Sequence, residues 1–194
     1  MFATAKLPIS PVNIKTQLIT FVVALIAASA PAGAQSWSEY VYPDEGFTVA
    51  FPAEPKVEIT SYKAPGGHLV EARVYSVVQE GGEFKVTVAD LSPTSMSEGN
   101  VMAYALFMLS RGGEIKIDIP HSTRRIIGRQ AGIDAADGSR IYASVFFHNG
   151  RLYQIEGTVP VGGSAADAFR FQQSFDFTDE WRPPDGLGNA LRTR

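Results

Sequence analysis

The sequence has 194 residues, with 17 lysines and arginines against 20 aspartates and glutamates, and no cysteine. The net charge is −3 for the full sequence and −5 without residues 1–34 (15 basic against 20 acidic residues), and this excludes a general electrostatic preference for nucleic acid or anionic membranes. The lack of cysteine excludes disulfides, thiolate catalysis and cysteine-based zinc sites.

Residues 1–34 have the pattern of a secretory signal peptide. They contain Lys6 and Lys15 but no acidic residue, and they include an apolar stretch at residues 18–28. Ala32 and Ala34 then place small side chains at the two positions that signal peptidase reads. The apolar stretch is shorter than the about 20 residues that a membrane span needs. The pattern predicts cleavage after Ala34 and a soluble periplasmic protein, with an uncleaved membrane anchor as the alternative.

Removal of the first 34 of 194 residues leaves 160, with 15 lysines and arginines against 20 acidic residues. This length suits one α+β domain, predicted at residues 35–180, and it can bury a core without disulfides. Residues 181–194 are rich in proline and glycine and weakly patterned, so we expect a flexible C-terminal tail.

Strand patterns dominate the first part of the mature chain. In GFTVAF (46–51), large apolar residues alternate with small or polar ones, which is the period-two pattern of a strand. Further strands are predicted at residues 56–62, 68–78 and 83–91. The glycine-containing connection between the last two predicts a hairpin.

A helix is predicted next. Ser95 and Glu98 match a capping box, in which a hydroxyl and a carboxylate satisfy free amides of the first turn. Apolar residues then recur at helical spacing as far as Leu109. The sequence RGG (111–113) predicts the end of the helix, with a glycine in the left-handed conformation.

Strand patterns return after these glycines. EIKIDI (114–119) alternates, and residues 124–130 and 132–137 predict another pair that is interrupted near Ala131 and Gly132. An Asp-Gly turn then leads into the strand that ends in FFHNGRLYQIEG (146–157). Ser164 is a favourable N-cap for a final helix.

The Asn-Gly pair inside FFHNGRLYQIEG predicts a two-residue turn, because both turn positions need a positive φ. The resulting pairs are His148 with Arg151, Phe147 with Leu152, and Phe146 with Tyr153. Both faces of the hairpin are then apolar near the tip, which predicts a sheet covered on both sides. Short turns between strands and the order strands, helix, strands, helix together predict an α+β domain with an antiparallel sheet.

Six residues form the predicted interaction surface: His121, Arg124, Arg125, Arg129, His148 and Arg151. The three neighbouring arginines, with His121 close by, are the one basic cluster of the chain. This cluster is either an exposed strand face kept soluble by charge or a patch for an anion or acidic partner. The last two residues flank the predicted turn and would mark an exposed rim that a partner touches.

The sequence predicts no catalytic residue and no cofactor. Its Gly-Gly pairs lie at predicted turns and lack the Lys-Ser/Thr that completes a phosphate loop, and it has no G-x-S-x-G elbow. His68, His121 and His148 are far apart, so a metal site would need the fold to bring them together with carboxylates. The adjacent acids Asp44 and Glu45 are interpreted as solvated turn residues.

Four stretches in this order carry a family resemblance: GFTVAFPAEPKV, FKVTVADL followed by a helix, GRLYQIEGTVP, and a closing helix with FRFQQSFDF. Over most of residues 40–177 the chain resembles exported bacterial proteins related to PsbP. The resemblance implies an antiparallel sheet flanked by helices on both faces, the PsbP-like α/β/α sandwich. Relatives of that fold include extrinsic subunits of the photosynthetic oxygen-evolving complex and Ran-binding proteins, which act by binding other proteins. No functional residue of these relatives matches a position here.

Two functions are therefore expected. The first is a soluble, non-catalytic periplasmic accessory protein that binds another periplasmic or envelope protein and neither nucleic acid nor, after cleavage, a membrane. The alternative is a small-ligand or metal-binding protein, with an enzyme as a further option, that uses a pocket between the sheet and a helix.

The signal-peptide prediction has a direct test. N-terminal sequencing or intact-mass analysis of the protein recovered from the periplasm should place the first residue at Gln35, because Ala32 and Ala34 satisfy the peptidase. Recovery of the chain in the membrane fraction with residue 1 intact would instead support the uncleaved anchor.

Overall fold

The computed structural model describes residues 37–92 and 95–178. The predicted signal peptide, with Ala32 and Ala34, and the predicted tail at 181–194 lie outside the described residues. The elements in chain order are β1 Ser38–Tyr42, a 3₁₀ turn Pro43–Glu45, β2 Phe47–Phe51, β3 Lys56–Lys63, β4 Leu69–Gln79, β5 Gly82–Asp90, α1 Glu98–Leu109, a 3₁₀ turn Ser110–Gly112, β6 Gly113–Thr123, β7 Ile126–Ala135, β8 Arg140–His148, β9 Arg151–Val159, α2 Ala166–Ser174 and β10 Asp176–Phe177.

Two antiparallel sheets dominate the described part of the chain. The large sheet has seven strands in the order β3-β4-β5-β9-β8-β7-β6, and the small sheet has three in the order β1-β2-β10. Short turns join most neighbours in the large sheet, as antiparallel pairing allows. The exception is the path from β5 through α1 to β6, after which the chain returns so that β9 pairs with β5. No helix in the described residues is long and apolar enough to cross a membrane.

The predicted register of the β8–β9 hairpin is confirmed. His148 lies opposite Arg151, and the pairing continues inward with Phe147 opposite Leu152 and Phe146 opposite Tyr153. Asn149 and Gly150 form the turn with φ values of 50° and 76°. This is the left-handed geometry that an Asn-Gly pair accommodates.

The predicted burial of both faces near this tip is also confirmed. We call the face of the large sheet that carries Tyr153 the front face and the face that carries Leu152 the back face. Tyr153 belongs to a buried cluster with apolar residues of β2 and with Phe171 of α2. Leu152 belongs to a second cluster with residues of α1, among them Leu106. Alternation along the strands assigns the two clusters to opposite faces.

The limits of the first helix differ from the prediction. Ser95 is not the N-cap: Ser97 holds that position, Glu98 is the first helical residue, and no side chain bonds to the free amides of the first turn. The helix does not end in a left-handed glycine either. A 3₁₀ turn follows Leu109, and Gly113 has an extended φ of −167° because it already begins β6.

The segment after β6 also differs from the prediction. Arg124 and Arg125 do not lie in a strand but form the β6–β7 turn, with φ values of 48° and 67°. The strand that follows, Ile126–Ala135, runs through Gly132 without interruption. The irregularity lies in the partner strand, where the register shifts between Ile115 and Ile117.

The β8–β9 turn allows a matched test of glycine substitution. Gly150 and Gly162 both have a φ of 76°. A Cβ at position 150 would lie 2.6 Å from Ser92 Oγ and 3.1 Å from Ser92 Cα, whereas a Cβ at 162 would meet nothing within 4 Å. We expect Gly162→Ala to lower the free energy of unfolding by about 1 kcal/mol through backbone strain alone. Gly150→Ala should lower it by more, in urea denaturation of both variants, and equal losses would contradict the close approach of Ser92.

Candidate functional site

The antiparallel order brings several turns to one end of the large sheet. The β3–β4, β6–β7 and β8–β9 turns all lie there, together with the C-terminal end of β5. We call this the turn end. It holds Arg124, Arg125, His148 and Arg151 of the predicted interaction surface, while His121 and Arg129 lie a few residues further along β6 and β7. The topology thus gathers most of the predicted residues in one region.

The register separates these residues between the two faces. His121 pairs through Gly128 with Phe146, and His148 pairs with Arg151, so His121, His148 and Arg151 share the front face. Arg129 lies opposite Val145, a residue of the back-face cluster. The six residues therefore do not form one continuous face.

Three of the arginines contact carboxylates of the same chain. Arg124 Nε lies 2.8 Å from both carboxylate oxygens of Asp176, and Arg129 Nε donates to Asp118 Oδ1 at 2.9 Å. Arg151 Nη1 lies 3.5 Å from Glu45 Oε2 and donates to the backbone oxygen of Asp44 at 2.6 Å. These pairings favour a structural role for the arginines over anion binding. The prediction of a partner surface at these positions stays a prediction.

The two histidines of the predicted surface are half-buried among aromatic rings. The ring centroid of His121 lies 5.6 Å from that of Phe146, and the ring centroid of His148 lies 5.3 Å from that of Phe177. His148 is therefore less exposed than its place beside the turn predicts. Among residues 37–92 and 95–178, no group of three or more histidine or acidic side chains could hold a metal ion. The described geometry thus gives the metal alternative no support.

Glu45 is the charged residue at the turn end that sequence reasoning missed. It lies in the 3₁₀ turn between β1 and β2, which begins at Pro43 and is closed by Gly46 with a left-handed φ of 79°. Its side chain is only 11% exposed. The interpretation of Glu45 as a solvated turn residue is therefore wrong. The turn does not project into water but folds over the front face of the large sheet.

Glu45 is held at both its side chain and its backbone. Arg73 Nη1 lies 2.6 Å from Glu45 Oε1, and Arg151 Nη1 lies 3.5 Å from Oε2. The buried hydroxyl of Tyr153 donates to the Glu45 backbone oxygen at 2.8 Å. A carboxylate withdrawn from water needs such charged donors, because an unpaired buried charge is strongly unfavourable.

These contacts form one wall of a cleft of about 430 Å³, which we call the Glu45 cleft. Its lining residues are Asp44, Glu45, Glu71, Ala72, Arg73, Val88, Asp90 and Arg151. The cleft lies between the large sheet and the β1–β2 connection, not between the sheet and a helix.

The Glu45 cleft carries more negative than positive groups. Four carboxylates and two guanidinium groups line it. The charge and hydrogen bond of Glu45 raise the pKa of Arg73. Hydrogen bonds from the side chain and backbone of Ser92 lower the pKa of Asp90. Because Glu45 engages both arginines, the remaining carboxylates leave the cleft suited to a cationic group.

Exposed apolar side chains adjoin the cleft on the front face. Val57, Ile59 and Leu69 are 51%, 67% and 68% exposed, and we call them the β3–β4 patch. The register places Ile59 directly opposite Arg73. Ile59 and Leu69 also line a shallow depression of about 330 Å³ that reaches Glu71, a residue of the Glu45 cleft. The apolar patch and the charged cleft are therefore continuous.

A second perturbed carboxylate lies on the back face, away from the cleft. Glu156 is buried beside Lys85, with 3.2 Å between Lys85 Nζ and Glu156 Oε2. Burial raises the pKa of Glu156, although the nearby lysine opposes the effect. Burial also raises the pKa of Tyr62, whose hydroxyl has no hydrogen-bond partner among the described residues. Neither Glu156 nor Tyr62 lines the Glu45 cleft or the depression beside Ile59 and Leu69, so the pair is not part of that site.

The fold is an antiparallel α+β fold of the PsbP type, as the sequence resemblance predicted. The chain is similar to cyanobacterial PsbP (CyanoP) from Synechocystis sp. PCC 6803, known from its solution structure, with a TM-score of 0.50 and 14% sequence identity. The similarity covers 77% of this chain and 97% of that one. No protein-family model and no curated protein sequence matches the chain. At this identity the similarity concerns the fold alone.

The contacts of Glu45 lead to a stability prediction. Glu45→Gln keeps the shape of the side chain but removes the charge shared by Arg73 and Arg151, so we expect lower stability in thermal and urea unfolding. Glu114→Gln is the matched control, because Glu114 forms a similar pair with Lys116 at 2.5 Å but is 72% exposed. The loss for Glu45→Gln should be at least about twice that of the control, since exposed pairs contribute little. Equal losses would mean that the Glu45 pair is also a solvated one.

Proposed function

We propose that the protein is an exported, non-catalytic accessory protein of the periplasm, and that it binds another protein through the β3–β4 patch and the adjoining Glu45 cleft. Export follows from the signal-peptide pattern at residues 1–34. The alternative function, a small-ligand protein, would use the Glu45 cleft by itself.

The β3–β4 patch is the observation that carries the proposal. Its three large apolar side chains share one face of the sheet. Each is more than half exposed, whereas many other large apolar side chains of the described residues are buried in the core. Charged residues border the patch on the side of the cleft. Val57 and Ile59 are neighbours on this face, and Leu69 lies beyond the polar pair Ser61 and Glu71 in the same shallow depression as Ile59. Apolar side chains grouped with a polar rim are typical of protein interaction sites.

The chemistry of the cleft favours binding over catalysis. Its lining consists of acidic residues, arginines, alanine and valine, so carboxylates are the nucleophiles it offers, without a serine, threonine, histidine or lysine beside them. A general acid needs a carboxyl group that stays protonated near neutral pH. Asp90 does not meet this requirement, because the hydrogen bonds it accepts from Ser92 lower its pKa and favour the ionised form.

The alternative keeps one observation in its favour. A volume of about 430 Å³ falls within the range of small-molecule sites. Such sites are mostly apolar with a few polar groups, whereas six of the eight residues that line this cleft are charged. A protein partner that covers both the apolar patch and the charged cleft accounts for both features together.

In this proposal the binding surface is carried by a three-layer PsbP-like sandwich, in which a helix covers each face of the large sheet. The buried face of α1 (Val101, Met102, Ala105 and Leu106) shares a cluster with back-face residues. Phe171 of α2 shares the front-face cluster with β2. Coverage of the centre of the sheet from both sides would leave the β3–β4 margin as the free binding surface.

Photo-crosslinking in the periplasm tests the proposed function. A crosslinking amino acid at position 59 or 69 should yield the same covalent partner, because both side chains belong to the β3–β4 patch. The matched control is position 161, since Val161 is 74% exposed but lies outside the patch, in the connection between β9 and α2. No adduct at 59 and 69, or the same adduct at 161, would argue against the proposal.

A further inference from the structure

The two edges of the large sheet differ in how they are protected. β6 has a register shift between Ile115 and Ile117 and carries Pro120, which has no amide hydrogen to donate. Asp118 of the same strand is paired with Arg129. Bulges, prolines and charges are the devices by which natural sheets prevent further strands from adding to an edge.

β3 forms the other edge and lacks the bulge and the proline, although it carries charged side chains, among them the Lys56–Glu58 pair at 2.6 Å. Within the described residues it pairs only with β4, over the eight residues Lys56–Lys63, without a register shift. It contains neither proline nor glycine, and nearly all of its residues are exposed. Its outward amides and carbonyls can therefore pair with an extended chain.

The register defines which side chains of an added strand would meet this protein. On the front face, Ile59 lies opposite Arg73 and Ser61 lies opposite Glu71. An added strand would run about 4.8 Å from β3 and about 10 Å from β4. The small side chain of Ser61 leaves room for a long basic side chain to cross β3 towards Glu71, a distance that a four-carbon lysine stem and a glutamate can span together.

We propose that β3 accepts an extended segment of the protein partner as an added antiparallel strand, with an apolar residue opposite Ile59 and a lysine or arginine opposite Ser61 that pairs with Glu71. This inference rests on the proposed function and specifies how the partner is recognised. The basic residue complements the carboxylates of the Glu45 cleft, which Glu71 lines. Main-chain bonds would provide affinity and the two side chains specificity.

The charges of β3 argue against a second copy of this chain as the occupant. Lysines occupy both ends of the strand, at positions 56 and 63. Two antiparallel copies aligned over their full length would bring Lys56 of each within about one residue of Lys63 of the other. Like charges in such positions are destabilising.

A defined peptide tests the proposal. The probe is acetylated and amidated Thr-Thr-Lys-Thr-Val-Thr-Val-Thr, which in antiparallel pairing places its lysine opposite Ser61 and its valines opposite Ile59 and Val57. We expect saturable binding to the purified protein as the cell produces it. Amide hydrogen exchange measured by NMR should slow at every second residue of β3 and not at β6.

Charge reversal provides the matched control. The peptide with glutamate in place of lysine should bind at least about threefold more weakly, because an attractive surface pair becomes a repulsive one. Glu71→Lys should invert this preference, whereas Glu114→Lys on the opposite edge should leave it unchanged. The proposal is wrong if both peptides bind equally to all three proteins, or if the slowed exchange lies outside β3.

Two further outcomes separate this inference from the proposed function. Crosslinks from positions 59 and 69 without peptide binding would overturn strand addition but leave protein binding intact. Dimerisation in analytical ultracentrifugation that Ile59→Lys abolishes would identify a second copy as the occupant and overturn the inference as well. Absence of both crosslinks and peptide binding would remove the two proposals together.

Discussion

The contact between the Glu45 carboxylate and two arginines determines the shape of the turn end. Arg73 belongs to β4 and Arg151 to β9, so one side chain of the turn between β1 and β2 contacts two strands of the large sheet that are not neighbours. Tyr153 adds a third bond to the same residue from β9. A carboxylate that is almost withdrawn from water depends on these donors, and they in turn fix the position of the β1–β2 turn. The Glu45 cleft is the space that remains beneath this turn.

The aromatic layer below the turn supports the same arrangement. Phe47, two residues after Glu45, is fully buried and contacts the rings of Tyr75, Tyr153 and Phe175. These rings pack in one buried cluster between the small sheet and the front face. The two guanidinium groups stay partly in water, since the side chains of Arg73 and Arg151 are 44% and 36% exposed, so the rings support the turn by packing and not by desolvating the charges. The ion pair lies at the polar end of this aromatic layer, and packing of Phe47 in the layer fixes the chain next to Glu45.

The local pattern of the sequence was sufficient to predict most of the strands and the register of the β8–β9 hairpin. Period-two alternation and the Asn-Gly turn depend on neighbouring residues, which a single sequence displays. The errors occur where a local preference competes with tertiary context. Ser95 has the residues of a capping box, but the helix begins at Glu98. Arg124 and Arg125 adopt positive φ values that their residue type does not signal, and Arg124 is held there by Asp176, 52 residues away in sequence.

The Glu45 cleft could not be predicted for the same reason. The partners of Glu45 are separated from it by 28 residues in the case of Arg73 and by 108 in the case of Tyr153. An Asp-Glu pair in a turn is ordinarily solvated, and no residue close to it in sequence indicates an ion-pair partner. Glu71, Arg73 and Tyr75 alternate along β4 and so share a face, which was the available signal. Only the pairing of β4 with β5, and of β5 with β9, brings that face beneath the β1–β2 turn.

The unequal edges of the large sheet connect the fold to the proposed binding role. A sheet with two unprotected edges would risk indefinite association, and β6 has the bulge, the proline and the paired charge that prevent it. β3 has charged side chains but neither the bulge nor the proline. In the part of the chain that the structure describes, it pairs only with β4 and places exposed apolar side chains beside an acidic cleft. The terminal lysines of β3 oppose self-association without blocking a strand of different composition. This combination is the one expected of an edge that is reserved for a specific partner.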